Sequence, residues 1–327
     1  MRDNLGRKIN YLRISITDNC NLRCIYCMPK EGAIYHKEEE MISIDEASKL
    51  VKIFSELGIE KVRVTGGEPL LRTGVCELVK NMSSIDSIKE IALTTNGILL
   101  HNYLDELYQN GLTTLNVSLD TIDTEKYKEM TRIGNVHNVI DAIKKAKKYH
   151  LKVKLNSLII RDFNEDEVES LVEFAIQNEV ILRFIELMPI GYGKNLKGFK
   201  NEELKKRIEE KYSLMDFDDD SLGPSKGPAK YYRLGETDQL IGFISPISKC
   251  FCETCNRVRI TSDGKLKECL YYEGNLDLKE ELRMGTSDEE IREKIIKAVI
   301  LKKDQHKFLD KKRSEDYEKK DMSMIGG

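Results

Sequence analysis

Six strand-like segments between residues 9 and 190 each carry one apolar and one polar face, and this parity restricts the possible folds more than any other feature of the chain. They run Tyr11 to Thr17, Lys61 to Thr65, Glu90 to Thr95, Thr114 to Leu119, Lys152 to Ile159 and Ile181 to Leu187. Successive side chains of a strand point to opposite faces. One face therefore reads Leu12, Ile14, Ile16; Val62, Val64; Ile91, Leu93; Leu115, Val117, Leu119; Val153, Leu155; and Leu182, Phe184. The other reads Arg13, Ser15, Thr17; Arg63, Thr65; Thr94, Asn96; Asn116, Ser118, Asp120; Lys154, Asn156; and Arg183. Helical patterns lie between the strands, as in Ile44, Ala47, Leu50, Val51, Phe54, Leu57, which ends at Gly58. Repeated strand-helix units imply parallel strands joined by right-handed crossovers.

A parallel strand buried on both faces reads as continuously hydrophobic, and a closed eight-stranded barrel fills its interior with aliphatic side chains. The pattern here predicts something else: an α/β fold built as an open, incomplete (β/α)6 TIM-type barrel with a polar lumen. Burying arginine or lysine without a partner costs several kcal/mol each, so the lumen is expected to hold an anionic ligand. The competing reading places these residues on the exposed face of an ordinary sheet. A chain of 327 residues has room for such a barrel, expected over 1–222, and a smaller unit.

Cysteine spacing adds chemistry to the frame. Cys20, Cys24 and Cys27 fall within eight residues just after the first strand, and Cys252, Cys255 and Cys269 form a second triplet. Three soft ligands hold a metal and leave one coordination position open. A Cys-x2-Cys hairpin is also half of a zinc ribbon, and Cys250, two residues from Cys252, could supply a further thiol. Iron-sulfur and zinc both fit the second triplet on spacing alone. Cys76 sits in a helical pattern and reads as a core thiol. Gly66-Gly67-Glu68-Pro69 follows the second strand, where paired glycines let backbone approach a ligand closely.

Turn-rich sequence at Gly191 to Asn195 and Gly223 to Pro228, with a helix at about 201 to 212 and an acidic patch at Asp216 to Asp220, reads as a linker. A C-terminal unit over 223–310 follows. Short strands are expected there at Tyr231 to Arg233, Leu240 to Ile244, Arg257 to Thr261 and Leu266 to Leu270, the last two joined by a hairpin turn at Ser262 to Lys265. The tail, 311–327, is strongly charged and would by default be disordered, yet it closes on the less polar Met322-Ser-Met-Ile-Gly-Gly327. None of the five histidines enters a motif. The 53 basic and 56 acidic residues balance to a net charge of −3, which gives no field that attracts nucleic acid or an anionic membrane. With no apolar run of membrane-spanning length and no hydrophobic leader, a cytoplasmic location is expected.

Cys20-x3-Cys24-x2-Cys27, with Tyr26 before the last cysteine, together with Gly66-Gly-Glu-Pro69, resembles the radical S-adenosylmethionine superfamily. Within it, Leu12-Arg-Ile-Ser-Ile-Thr-Asp18, Cys27-Met-Pro29, Arg63-Val-Thr-Gly-Gly-Glu-Pro69, Leu93-Thr-Thr-Asn-Gly97, Asn116-Val-Ser-Leu-Asp120, Arg183-Phe-Ile-Glu-Leu-Met188, the second cysteine set with Arg257 and Arg259, and the terminal Gly326-Gly327 are similar to the GTP 3',8-cyclase family of molybdenum cofactor biosynthesis. The resemblance covers nearly the whole chain. It implies a [4Fe-4S] cluster on Cys20, Cys24 and Cys27 whose open iron takes S-adenosylmethionine, with Tyr26, Gly67, Ser118 and Met188 as contacts. It implies a second [4Fe-4S] cluster on Cys252, Cys255 and Cys269 that holds the guanine of GTP. Arg13, Arg63, Thr94, Lys154, Arg183, Arg257 and Arg259 would bind the substrate, and Arg257, Arg259, Gly326 and Gly327 would act in catalysis, the tail inserting near the arginines.

The reaction so implied is abstraction of the ribose 3' hydrogen by a 5'-deoxyadenosyl radical and attack on guanine C8, giving 3',8-cyclo-7,8-dihydro-GTP. A flavodoxin- or ferredoxin-type electron donor, a downstream cyclic pyranopterin monophosphate synthase and a homodimer are the partners expected. Two departures stand out: Asn19 is where the family often has arginine, and Cys250 is an extra thiol. A peptide-modifying radical enzyme with an auxiliary cluster is the rival within the superfamily, but it needs no basic lumen. A zinc-ribbon module or a ferredoxin-like electron carrier explains neither Gly-Gly-Glu-Pro nor six polar-faced strands.

Overall fold

The six expected strands form in a computed structural model that describes residues 1–218, 227–310 and 317–326. They are β1 (Tyr11–Ser15), β2 (Lys61–Thr65), β3 (Glu90–Thr95), β4 (Thr114–Ser118), β5 (Lys152–Ser157) and β6 (Ile181–Ile185). Between them run α1 (Ile44–Glu56), α2 (Val75–Ser83), α3 (Leu100–Gln109), α4 (Thr124–Thr131), α5 (Val136–Ala146) and α6 (Val168–Gln177). All five adjacent pairs are parallel. The first, fifth and sixth strands stop two residues short of their expected ends and the fourth stops one short; in the first, the chain turns at Thr17, whose carbonyl accepts the Gly67 N–H at 2.8 Å.

Sequence chemistry fixes the helices locally. Ser43 caps α1 and exchanges hydrogen bonds with Glu46, satisfying two amides that the helix cannot. At its far end Gly58 takes φ +90°, a conformation that costs glycine nothing. Leu50, Val51 and Phe54 then point at the sheet and are fully buried beside Leu12, Val62 and Val64. Burying each such side chain contributes about 1.5–3 kcal/mol, so the apolar strand faces and the helix stripes hold one another.

The C-terminal part does more than append a unit. After α7 (Asn201–Glu209), shorter than the helix expected over 201 to 212, come β7 (Leu214–Asp216), β8 (Lys230–Leu234) and β9 (Leu240–Ile244). Strand β9 pairs parallel to β6, and β8 and β7 follow it antiparallel. Next, β10 (Arg257–Ile260) pairs parallel to β1 at the opposite edge, followed by β11 (Lys265–Lys267) and β12 (Leu276–Asp277). The result is one twelve-stranded sheet, and eight neighbouring strands in it, from β10 through β1–β6 to β9, are parallel. Both open edges of the six-stranded barrel are thus continued by the same downstream segment. Helices α8 (Leu278–Arg283) and α9 (Asp288–Ile300) complete it, α9 burying Ile291, Ile295 and Val299.

The expected turn at Ser262 to Lys265 joins β10 to β11, with Gly264 at φ +85°. The expected strand Leu266 to Leu270 ends instead at Lys267, and residues 268–270 bend away to carry Cys269 to the cavity described below. The expected division between residues 222 and 223, the end of the acidic patch at Asp219 and Asp220, the turn Gly223 to Lys226 and the terminal Gly327 lie outside the described residues. Cys76 is buried in α2, as its pattern indicated.

The described end of the tail is held inside the molecule. Lys267, with 1% side-chain exposure, pairs with Glu318, and Lys320 pairs with Asp263 at 2.9 Å. Ile325 is 1% exposed, and the Gly326 carbonyl accepts from Arg259 Nη1 at 3.1 Å. A side chain at Gly326 would meet Ser15 and Thr65 within 3 Å, two residues of the polar strand face. The tail is therefore drawn to the lumen as far as Gly326, through contacts that composition alone does not reveal.

Candidate active site

Register converts the polar parity into a wall. Arg13 of β1 lies opposite Arg63 of β2 on one side and Arg259 of β10 on the other. Asn116 of β4 is opposite Lys154 of β5, and Asn156 is opposite Arg183 of β6. Gly242 of β9 faces Arg183, and a Cβ there would sit 2.9 Å from the arginine's Cγ, so the missing side chain gives the long arginine its room.

These residues line a cavity of about 330 Å³. All six triplet cysteines reach it, as do Tyr26, Gly67, Ser118, Met188, Arg13, Arg63, Thr94, Lys154, Arg183, Arg257 and Arg259. Gly326 approaches it through its bond to Arg259, and Gly327 lies outside the described residues. The cavity also takes in Lys61 and Tyr11, which the sequence analysis did not single out. Both stand on the polar parity of their strands, Tyr11 with Arg13 and Lys61 with Arg63, so the same rule applied one pair further would have found them.

Among the described residues, seven cationic side chains line the cavity against three carboxylates, Asp120, Glu186 and Glu268. Glu186 is occupied, accepting from the backbone of Asn201, Ile247 and Ser248. Asp120 accepts from the Tyr26 hydroxyl at 2.7 Å and the Leu158 N–H at 2.8 Å, and burial raises its carboxyl to about 6. Burial also lowers Lys154 to about 6, reinforced by Arg183, Lys61 and Arg63. Arg183 donates to Asn116 and Asn156 through Nη2, while its buried Nε has no partner among the described residues. A cluster of desolvated cations with an unused donor fits a polyanion that accepts several hydrogen bonds.

The first cysteine triplet is set on the carboxyl end of the strands. The Arg23 and Ile25 amides bond to Thr131 and Met130 at the end of α4, and Cys27 and Met28 close a turn on the Cys24 carbonyl. Burial raises all three thiols, Cys20 to about 11 and Cys27 to about 12. The Ser323 N–H is directed at Cys27, so the tail touches this triplet as well as Arg259.

Gly66 and Gly67 serve this loop directly. A Cβ on Gly67 would fall 2.4 Å from the carbonyl oxygens of Asp18 and Asn19, and one on Gly66 2.6 Å from that of Thr17. The close approach that requires glycine is thus to the chain leading into the cysteines. Glu68 is fully buried, accepts from Thr95 and from the Asn96 N–H, and is raised by burial to about 7. The Asn96 amide in turn reaches Cys20 Sγ at 3.8 Å.

In the second triplet, burial raises Cys252 to about 12 with Cys250 adding to it. Cys255 feels the same burial, but Arg257 and Lys302 outweigh it and bring the thiol to about 6. The Arg257 guanidinium stacks 4.9 Å from the Phe251 ring centre. Neither triplet is drawn onto a single point, which suits a four-iron cluster because each cysteine there binds a different iron. Donor chemistry, placement on one cavity and the cationic wall together fit two clusters, a sulfonium cofactor between them and an anionic substrate.

Comparison with known proteins places the chain in a family. Residues 14–175 match the Radical SAM superfamily and residues 180–308 match Molybdenum Cofactor Synthesis C. The chain is 46% identical over 327 residues to the GTP 3',8-cyclase of Clostridium perfringens strain 13, covering all of both chains. It is 43% identical to the GTP 3',8-cyclase of Thermodesulfovibrio yellowstonii over 310 residues, 92% of this chain and 94% of that one. Among solved structures, Streptococcus suis SuiB bound to precursor peptide SuiA superposes with a TM-score of 0.63 over 88% of this chain and 68% of that one, at 16% identity, a likeness of fold.

Gly67→Ala should push the cysteine loop off the strand ends at a cost of about 1–3 kcal/mol, the range for overpacking. Iron bound after anaerobic reconstitution should then fall from about eight to about four atoms per chain while the fold is kept. Full iron loading in the variant would show that the glycine does not set the loop.

Proposed function

The chain belongs to the GTP 3',8-cyclase family of radical S-adenosylmethionine enzymes, and we propose on that premise how its own residues carry the conversion of GTP to 3',8-cyclo-7,8-dihydro-GTP. The observation that carries the reading is the juxtaposition of two cysteine triplets and seven cations on one cavity. Cys20, Cys24 and Cys27 would hold one [4Fe-4S] cluster and Cys252, Cys255 and Cys269 another; with S-adenosylmethionine, these groups would supply the radical chemistry and a point of attachment for the base.

The protein's part is to bind, orient and exclude water. Tyr26, Gly67, Ser118 and Met188 line the cofactor's end, with the Tyr26 hydroxyl locked on Asp120. Arg13, Arg63, Lys154 and Arg183 take the triphosphate. Guanidinium groups bind phosphate oxygens bidentately and stay charged at any working pH, which suits a lumen that burial would otherwise discharge. Thr94 already accepts from Arg63 Nη1 at 3.1 Å and adds a hydroxyl. Arg257 and Arg259 come from the segment that carries the second triplet, so base anchoring and phosphate binding are built on neighbouring elements. Gly326 approaches along Arg259, and on this reading Gly326 and Gly327 act there in catalysis, their lack of side chains letting the tail share the lumen with substrate.

A flavodoxin- or ferredoxin-type reductant and a cyclic pyranopterin monophosphate synthase as next enzyme belong to the same reading, as do a cytoplasmic site of action and a homodimer. Among the described residues no helix is long and apolar enough to cross a membrane.

Incubation with GTP, S-adenosylmethionine and reductant should consume GTP and release 5'-deoxyadenosine, and equal release with and without GTP would contradict GTP as hydrogen donor. Binding should also be proton-linked. Lys154, at about 6 in the free protein, is mostly neutral at pH 7.5 and regains its proton beside a polyphosphate, so affinity should fall by up to about tenfold per pH unit above 6. Titration calorimetry at pH 7.5 in Hepes and in Tris should register proton uptake on GTP binding, and Lys154→Met should abolish it. Uptake that persists in the variant would assign the proton elsewhere.

A further inference from the structure

Cys250, Cys252 and His306 offer ligand atoms that all lie within 4.8 Å of one another. We infer that they form a site for a single soft divalent ion of the zinc type, which the chain uses when the second iron-sulfur cluster is absent. The separations decide between one ion and a cluster. A tetrahedral zinc with Zn–S of about 2.3 Å and Zn–N of about 2.0 Å sets its ligands roughly 3.5–3.8 Å apart, a small closure from what the structure holds. Cluster cysteines sit on different irons and are spaced more widely.

The site is built rather than fortuitous. Arg7 forks between Cys252 and the segment that bears the histidine: Nη1 donates to the carbonyls of Cys252 at 2.8 Å and Asp304 at 3.0 Å, and Nη2 to that of Lys303 at 2.8 Å. Arg7 is itself buried against Asp3. His306 Nε2 stands 2.8 Å from the Pro246 carbonyl and donates there, so Nδ1 carries the lone pair; the Phe308 N–H approaches it at 3.5 Å, a contact at the long limit of hydrogen bonding that an ion would replace. A metal-binding histidine is oriented in just this way by a carbonyl on its other nitrogen. Cys250 is exposed, so an ion enters from solvent and water completes the coordination.

Cys252 belongs both to this set and to the cluster triplet. A thiolate bound to iron is not available to close the ion site, so the two occupants exclude one another. Cys250, the extra thiol, thus sets which metal the cluster-free chain retains. This stands on geometry and does not depend on the reaction.

The test uses full-length chain freed of iron and carrying Cys20→Ser, Cys24→Ser and Cys27→Ser, so that the first triplet contributes nothing. Anaerobic titration with Co²⁺ should saturate at one equivalent with the visible bands of a tetrahedral thiolate site. Adding Cys250→Ser or His306→Gln should weaken binding more than about tenfold, as loss of a ligand must exceed the 10–100-fold effect of losing an outer partner. Adding Cys269→Ser should change it less than about twofold. Cys250 is exposed, so its substitution leaves the core intact even if the histidine variant misfolds. Binding lost with Cys269→Ser but kept with Cys250→Ser would place the ion in the cluster triplet and overturn the assignment, as would the absence of tetrahedral bands.

Discussion

The structure depends on a set of cations held out of water. Arg63, Lys154, Arg183 and Arg259 are each under 10% exposed, and they share one lumen with three carboxylates among the described residues. Their mutual repulsion and lost hydration are tolerable because the strands holding them are clamped from outside by an aliphatic layer that is almost entirely buried. The apolar face supplies the stability and the polar face spends part of it on holding donors in place. An anion that entered would find those donors already oriented, with little left to reorganise.

That constraint explains why the second unit is not an independent appendage. An open six-stranded barrel leaves two sheet edges and an unguarded lumen. Residues beyond 227 pair with both edges, deliver Arg257, Arg259 and the second triplet to the open side, and return the tail to Ser15 and Thr65. Both edge pairings, the second cysteine triplet and two of the cavity's arginines therefore come from one piece of chain. Gly242 and Gly326 make room where a long arginine and a chain end must pass.

Much of this was legible in the sequence because strand parity is a two-residue rule. Arg13, Arg63, Lys154 and Arg183 could be assigned to the lumen without any knowledge of which strands were neighbours. Lys61 and Tyr11 obey the same rule but lie at strand starts, where a hydrophobic run gives no warning. The need for Gly66 and Gly67 was visible, but its cause was not: the close approach is to the backbone of Thr17 to Asn19, a contact between loops that no local pattern encodes. His306 was the least legible residue. It is 54 positions from Cys252, and Arg7, from the opposite end of the chain, bonds to both segments while the Pro246 carbonyl and the Tyr272 hydroxyl hold the histidine's segment in place.

If this lumen holds GTP with its ribose against the radical source at the first triplet, mass analysis of 5'-deoxyadenosine formed from GTP deuterated at C3' should find one deuterium transferred into 5'-deoxyadenosine. Unlabelled 5'-deoxyadenosine formed while the labelled GTP is consumed would rule that placement out.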